Sequence, residues 1–187
     1  WMRVIAGTAK GRRLYAPKGM ETRPITAKIK EALFNIWQDR ITGSDFLDLF
    51  AGSGSIGIEA LSRGADHVVF VDKSRKAVET IKKNLEICGF CSGYNIYQDD
   101  VFRRIGWFEK NEVMFDIIYL DPPFTEEQIF HSVIQCLSNA KLLKRNGILA
   151  IRTRKELEIP DRIEQLKKMK QKVYGISSVH FYGRAEG

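Results

Sequence analysis

The chain has 187 residues, 44% apolar and 28% charged, ordinary figures for one globular domain able to bury its own core. No apolar run approaches the roughly 18 residues a bilayer demands, and the N-terminus shows no charged-then-apolar pattern, so the cytoplasm is expected. Three cysteines, Cys88, Cys91 and Cys136, are too few for a disulfide framework and fit a reducing compartment.

The formal charge of +7 is distributed unevenly. Within the first thirty residues Arg3, Lys10, Arg12, Arg13, Lys18, Arg23, Lys28 and Lys30 stand against Glu21 alone, and the remainder of the chain balances. A basic arm on a neutral body reads as a device for holding a polyanion, without distinguishing RNA, DNA or acidic lipid. The plainer reading is a solvated, charge-rich terminus. Trp1, ahead of Met2, reads as an added residue. Residues 2–6 and 13–16 flank the Gly7–Gly11 stretch and predict a small β hairpin that carries the cations outward.

Next comes a helix over residues 26–37, with Ile29, Leu33, Ile36 and Trp37 at helical spacing and Thr26 as its N-cap. Apolar strands at 45–50, 68–72, 94–98, 115–120 and 147–152 then alternate with helices at 55–63, 74–88, 101–109, 126–138 and 161–170. That alternation predicts an α/β fold, a doubly wound and mostly parallel sheet with helices on both faces. Short strands at 171–176 and 178–183 close the chain as an edge hairpin, making seven strands in all. Division of labour is expected at residue 42, with the basic extension before it and the sheet domain from 43 to 187. Phe34, Trp37, Phe46 and Phe50 are assigned to packing, whereas Tyr119 suits either the core or a pocket wall.

The first strand leads into Gly52, Gly54 and Gly57, a G-x-G-x-x-G spacing between strand and helix. Such glycines let a ligand approach the backbone, and alone they suit a dinucleotide equally well. Asp48 beneath this loop favours a ligand with a cationic amino group and disfavours a pyrophosphate. Asp72, ending the second strand, is placed to accept from two ribose hydroxyls, a role that NAD would also satisfy. The third strand ends at Asp99 and Asp100, either of which suits an adenine amino group or an N-cap; Asp100 is favoured for the ligand, with Val101 against the ring.

The fourth strand ends in Asp121-Pro122-Pro123-Phe124. Two prolines cannot continue a strand, because each fixes φ and lacks the N–H a ladder needs. They therefore aim the Asp121 carboxylate and the Pro122 carbonyl outward beside an aromatic face. Two acceptors and a stacking surface suit a planar group bearing an exocyclic amine. In an open sheet the first and fourth strands flank the topological switch point, so cofactor and target are expected to share one crevice.

These residues resemble the class I S-adenosylmethionine-dependent methyltransferases. Asp48 to Gly57, Asp72, Asp100 and Asp121-Pro-Pro-Phe124 look like four of their motifs. Arg23-Pro24-Ile-Thr26 and Lys28-Ile-Lys-Glu31-Ala-Leu-Phe34-Asn35, with the opening hairpin, are similar to the bacterial 16S ribosomal RNA guanine-N2 methyltransferase family. The resemblance covers residues 2–183 and implies methyl transfer from S-adenosylmethionine to N2 of a guanine in small-subunit RNA. It implies a cofactor site of Asp48, Phe50, Ala51, Gly52, Ser53, Gly54, Gly57, Asp72, Lys73, Asp100 and Val101. It also implies catalysis by Asp121, Pro122, Pro123 and Phe124, and RNA contact by Arg3, Lys10, Arg12, Arg13, Arg23 and Lys28. Ile25, Ala27 and Arg152 depart from the family pattern; a glutamate often stands near the last of these.

Cys88-Gly-Phe-Cys91 matches C-x-x-C, but a zinc site wants four ligands and no second pair exists. His67, His131 and His180 are scattered, so no metal is expected; the partner is 16S RNA or an assembling small subunit, and the chain is expected to act as a monomer. Three other readings stay open. An adenine-N6 DNA methyltransferase shares the proline motif but normally adds a recognition region. An NAD-dependent oxidoreductase shares the glycines and leaves Asp121 to Phe124 unexplained, while a non-catalytic RNA-binding module would use the arm alone.

Overall fold

The computed structural model describes residues 2–19, 25–123 and 127–185, and the chain divides into two compact units, Trp1–Asp99 and Asp100–Gly187. The first unit begins with the expected hairpin, β1 (Met2–Arg3) and β2 (Arg13–Leu14), paired antiparallel with Met2 opposite Leu14. Next come α1 (Ala27–Ile36), a short 3-10 turn (Gln38–Arg40), β3 (Asp45–Leu49), α2 (Ser55–Ser62), β4 (His67–Asp72), α3 (Arg75–Ile87) and β5 (Tyr94–Gln98). β3 and β5 both run parallel to β4, which lies between them. β3 and β4 are buried along nearly their whole length, as strands covered on both faces must be.

The helices start where the side chains dictate. The Thr26 hydroxyl accepts from the Ile29 N–H at 3.3 Å, and the Ser74 hydroxyl accepts from that of Ala77 at the same distance. Trp37, fully buried, makes edge contacts with Phe34 and Phe46 at ring separations of 5.1 and 5.4 Å. These three aromatic residues form core as expected.

The hairpin is not a loose arm. The Ile5 and Ala6 amides donate to the two Glu59 carboxylate oxygens at 2.8 and 3.0 Å, and Glu59 sits at 0% exposure in α2. Lys30, which charge counting grouped with the arm's cations, is 2% exposed and lies 3.0 Å from Glu59 Oε1. Its ammonium also donates to the Arg3 carbonyl at 2.9 Å and to Ser55 Oγ at 3.0 Å. Lys30 is therefore an internal strut, and counting charge cannot reveal that. At Gly7 (φ 88°) a Cβ would stand 1.8 Å from the Ser62 carbonyl oxygen, so only glycine lets the hairpin loop close on α2.

The second unit holds α4 (Val101–Lys110), β6 (Phe115–Leu120), α5 (Glu127–Ala140), β7 (Leu143–Arg154), β8 (Arg162–Ile163), β9 (Leu166–Tyr174) and β10 (Ser177–Arg184). Its strand order is β6-β7-β10-β9-β8. β6 and β7 are parallel with Leu120 opposite Ile151, and the later pairs are antiparallel. The expected helix at 161–170 is overturned: that stretch forms β8 and most of β9. Lysine, glutamine, leucine and methionine there favour helix locally, but the ladder with β10 supplies backbone partners that outweigh propensity. Lys167, Lys168, Lys170 and Lys172 stud this strand, a pattern that guards a sheet margin against further pairing. Besides the hairpin, the described residues contain eight strands, β8 being the addition to the seven expected. No helix among them is long and apolar enough to cross a membrane.

Candidate active site

In the first unit the chain leaves β3 through a loop that takes left-handed backbone angles at Phe50 (φ 57°), Gly52 (φ 59°) and Gly54 (φ 77°). For Phe50 this is strain, a feature that concentrates at functional sites. Asp48 is 2% exposed, and its carboxylate accepts from the Gly57 amide at 3.1 Å, placing negative charge at the N-terminus of α2. A Cβ on Gly57 would fall 2.3 Å from the Phe70 ring, so the third glycine of the fingerprint serves helix–strand packing.

Asp72, 8% exposed at the end of β4, ties the loop down. Its Oδ2 accepts from the Gly52 amide and its Oδ1 from the Ser74 amide, both at 2.9 Å. Among the described residues these take two of the roughly four acceptor positions of a carboxylate. Ala51 and Ser53 are half-buried on the same loop, and Lys73 is exposed beside Asp72. A residue that sequence reasoning passed over completes the arrangement. Asn84, fully buried in α3, donates to the Ser53 carbonyl at 2.9 Å and to the Tyr15 carbonyl at 3.0 Å, and accepts from the Tyr15 amide at 2.8 Å. One amide side chain thus joins the end of the hairpin to the glycine loop.

Asp99 and Asp100 divide their tasks. The Asp99 amide donates to the Asp72 carbonyl at 3.1 Å. Asp100 is exposed and caps α4, its Oδ1 accepting from the Arg103 amide at 3.0 Å, while Val101 is 4% exposed. The N-cap alternative raised for this pair therefore describes Asp100.

In the second unit β6 delivers Asp121. Its Oδ2 accepts from the Tyr119 hydroxyl at 3.1 Å, and the Arg152 Nε, at the end of β7, lies 3.1 Å from both carboxylate oxygens. Burial alone would lower the proton affinity of Arg152, but Asp121 outweighs it, with Tyr119 assisting, and holds the guanidinium above its ordinary range. Pro122 is buried and Pro123 exposed; Phe124 lies outside the described residues. Arg3, Lys10, Arg12, Arg13 and Lys28 are all exposed, and Arg23 falls outside the described residues.

Residues 2–183 match the family described as Conserved hypothetical protein 95. The chain belongs to that family. The Bacillus subtilis protein named "Putative rRNA methyltransferase YlbH" is 38% identical over 181 residues, covering 97% of this chain and 98% of that one. "Ribosomal RNA small subunit methyltransferase D" of Haemophilus influenzae is 34% identical over 185 residues, covering 97% and 93%. The solved structure described as "Putative methyltransferase yhhF from Escherichia coli" aligns with a TM-score of 0.84 at 26% identity, covering 100% of this chain and 99% of that one. This member of the family therefore has the α/β methyltransferase fold that the resemblance implied.

Within the family frame, Arg152 looked like a departure. The structure gives it a partner, Asp121, thirty-one positions away. No local sequence signal links the two; only the pairing of β6 with β7 does. The cysteines hold no comparable chemistry: all three are free, and burial raises the thiols of Cys88 and Cys136 away from the reactive thiolate. Among the described residues no group of three or more His, Cys, Asp or Glu could hold a metal ion.

Proposed function

We propose that this chain transfers a methyl group from S-adenosylmethionine to the exocyclic N2 of a guanine in small-subunit 16S ribosomal RNA. The observation that carries the reading is Asp121, an acceptor gripped by Tyr119 and Arg152 where β6 ends in two prolines. Full-length similarity to proteins named as ribosomal RNA methyltransferases supports the same substrate class. In this reading residues 1–42 contact RNA and residues 43–187 carry out methyl transfer, in the cytoplasm and as a monomer.

The residues of the first unit fit the cofactor. Asp72 retains acceptor capacity for two vicinal hydroxyls, and buried Asp48 supplies negative charge beneath a loop whose glycines let a ligand approach the backbone. Asp48, Phe50, Ala51, Gly52, Ser53, Gly54, Gly57, Asp72 and Lys73 would hold it, with Asp100 and Val101 at the adenine. When bound, the cofactor supplies an electrophilic methyl on a sulfonium.

The chain's own part is orientation and charge. The amino nitrogen of guanine is a poor nucleophile because its lone pair is delocalised into the ring. Asp121 and the Pro122 carbonyl accept its two N–H groups and aim the nitrogen for in-line displacement. Phe124 stacks on the base, a contact worth about 1–3 kcal/mol. A base splayed from an RNA loop costs less to extract than one in a duplex. Arg3, Lys10, Arg12, Arg13, Arg23 and Lys28 hold phosphates without reading sequence.

The direct test incubates the protein with methyl-labelled cofactor and small subunits lacking the modification, then maps the labelled nucleoside. Label in N2-methylguanosine is expected. Label on adenine N6, or none on RNA, overturns the reading.

A further inference from the structure

A buried cation facing the acceptor carboxylate needs a reason. Arg152 is 5% exposed at the end of β7, an expensive place for a guanidinium unless its partner requires it there. Its Nε is equidistant, at 3.1 Å, from both Asp121 oxygens, and the Tyr119 hydroxyl adds a second fixed donor on Oδ2. Tyr119 is 1% exposed and reaches Asp121 from the same strand, so the carboxylate is clamped from β6 and from β7.

We propose that Arg152 is a positioning residue that fixes Asp121 as an acceptor throughout methyl transfer, so that Asp121 orients the amine without taking its proton. The inference rests on the function proposed above and specifies how its acceptor works. A carboxylate clamped by two donors cannot swing toward other groups. Were it to take up a proton, the buried guanidinium would lose the countercharge that Asp121 supplies, which makes that route costly. The nitrogen–carbon bond therefore forms as the sulfur–carbon bond breaks, sulfur leaves with the electron pair as a neutral thioether, and the surplus proton on nitrogen departs to water. An acceptor of this kind also selects its substrate: it grips a group that offers N–H, such as an exocyclic amine, and repels a carbonyl oxygen. Guanine at its amino edge satisfies that demand.

The test measures single-turnover methyl transfer, cofactor affinity and RNA affinity for wild type, Arg152→Met, Arg152→Lys, Asp121→Asn and the Arg152→Met/Asp121→Asn double variant. Arg152→Met is expected to slow transfer about 100-fold, the scale of a misplaced reacting group, with both affinities within about twofold of wild type. Arg152→Lys returns the charge without the Nε geometry and is expected to recover about tenfold of that loss. The double variant is expected to be no slower than Asp121→Asn alone, because the clamp then has no carboxylate to hold. A purely structural Arg152 would instead multiply the two losses, and that outcome overturns the proposal, as does wild-type transfer by Arg152→Met. Should Arg152→Met melt below the assay temperature, Arg152→Lys alone and combined with Asp121→Asn carries the same comparison. An inactive wild type sinks the functional reading and this inference together; an active wild type with an indifferent Arg152 sinks only the inference.

Discussion

Lys30 and Glu59 form an ion pair at 3.0 Å with side-chain exposures of 3% and 0%, and on it the hairpin is mounted. Burial alone would raise the Glu59 carboxyl, but Lys30, the Ile5 amide and Arg63 outweigh it and hold that group below its ordinary range. Burial also lowers Lys30, with Glu59 opposing. Removing one member strands the other. Glu59→Ala leaves a buried ammonium and two orphaned amides, so a loss of about 3–5 kcal/mol is expected in denaturant unfolding. An unchanged midpoint would contradict this role.

Gly57 is a second fixed point. Its absent Cβ makes room for the Phe70 ring, and a methyl there would intrude to 2.3 Å. Gly57→Ala is expected to destabilise by about 1–3 kcal/mol through forced repacking of α2 against β4. Thermal melting reads the loss; a melting temperature equal to wild type would show that the helix shifts freely.

How much of this was legible follows from where each signal lives. The strand–helix alternation from residue 45 to 140, the cap at Thr26 and the Gly52–Gly57 turn are local patterns, and each appears within a residue or two of its expected place, whereas β7 begins four residues earlier than expected. Residues 161–170 misled because their side chains favour helix, while their fate depends on β10, which comes later in the chain. Lys30 misled because a charge count treats every lysine as wet. Asn84 and Arg152 were unreadable in function for one shared reason: their partners, Tyr15 and Ser53 for one and Asp121 for the other, are brought close only by the folded chain.

His180 gives the fold a pH signature. It is fully buried on β10, its Nε2 3.1 Å from Thr153 Oγ1, and burial, aided by Lys168, lowers its pKa from 6.5 to about 4. The unfolded chain therefore binds this proton at higher pH than the folded one. Stability is complete above about pH 6.5 and falls as pH drops toward 4, by up to about 3 kcal/mol from this group. Unfolding titrations of wild type and His180→Leu between pH 7 and 4 should show a shallower slope in the variant. Equal slopes would reject the assignment.

The exposed arm cations make an electrostatic prediction. Arg12→Ala/Arg13→Ala is expected to weaken RNA binding and to flatten its salt dependence by about 0.7–0.9 in log–log slope for each lost phosphate contact. Cofactor affinity should stay the same. An unaltered salt slope would remove these two arginines from the RNA surface.

Asp121→Ala tests the central claim most directly, by calorimetric cofactor titration alongside single-turnover methyl transfer to unmodified small subunits. Cofactor affinity is expected to hold within about threefold while the transfer rate drops by about 100- to 1,000-fold, the usual cost of losing one transition-state hydrogen-bonding group. Transfer at the wild-type rate by Asp121→Ala would contradict the account.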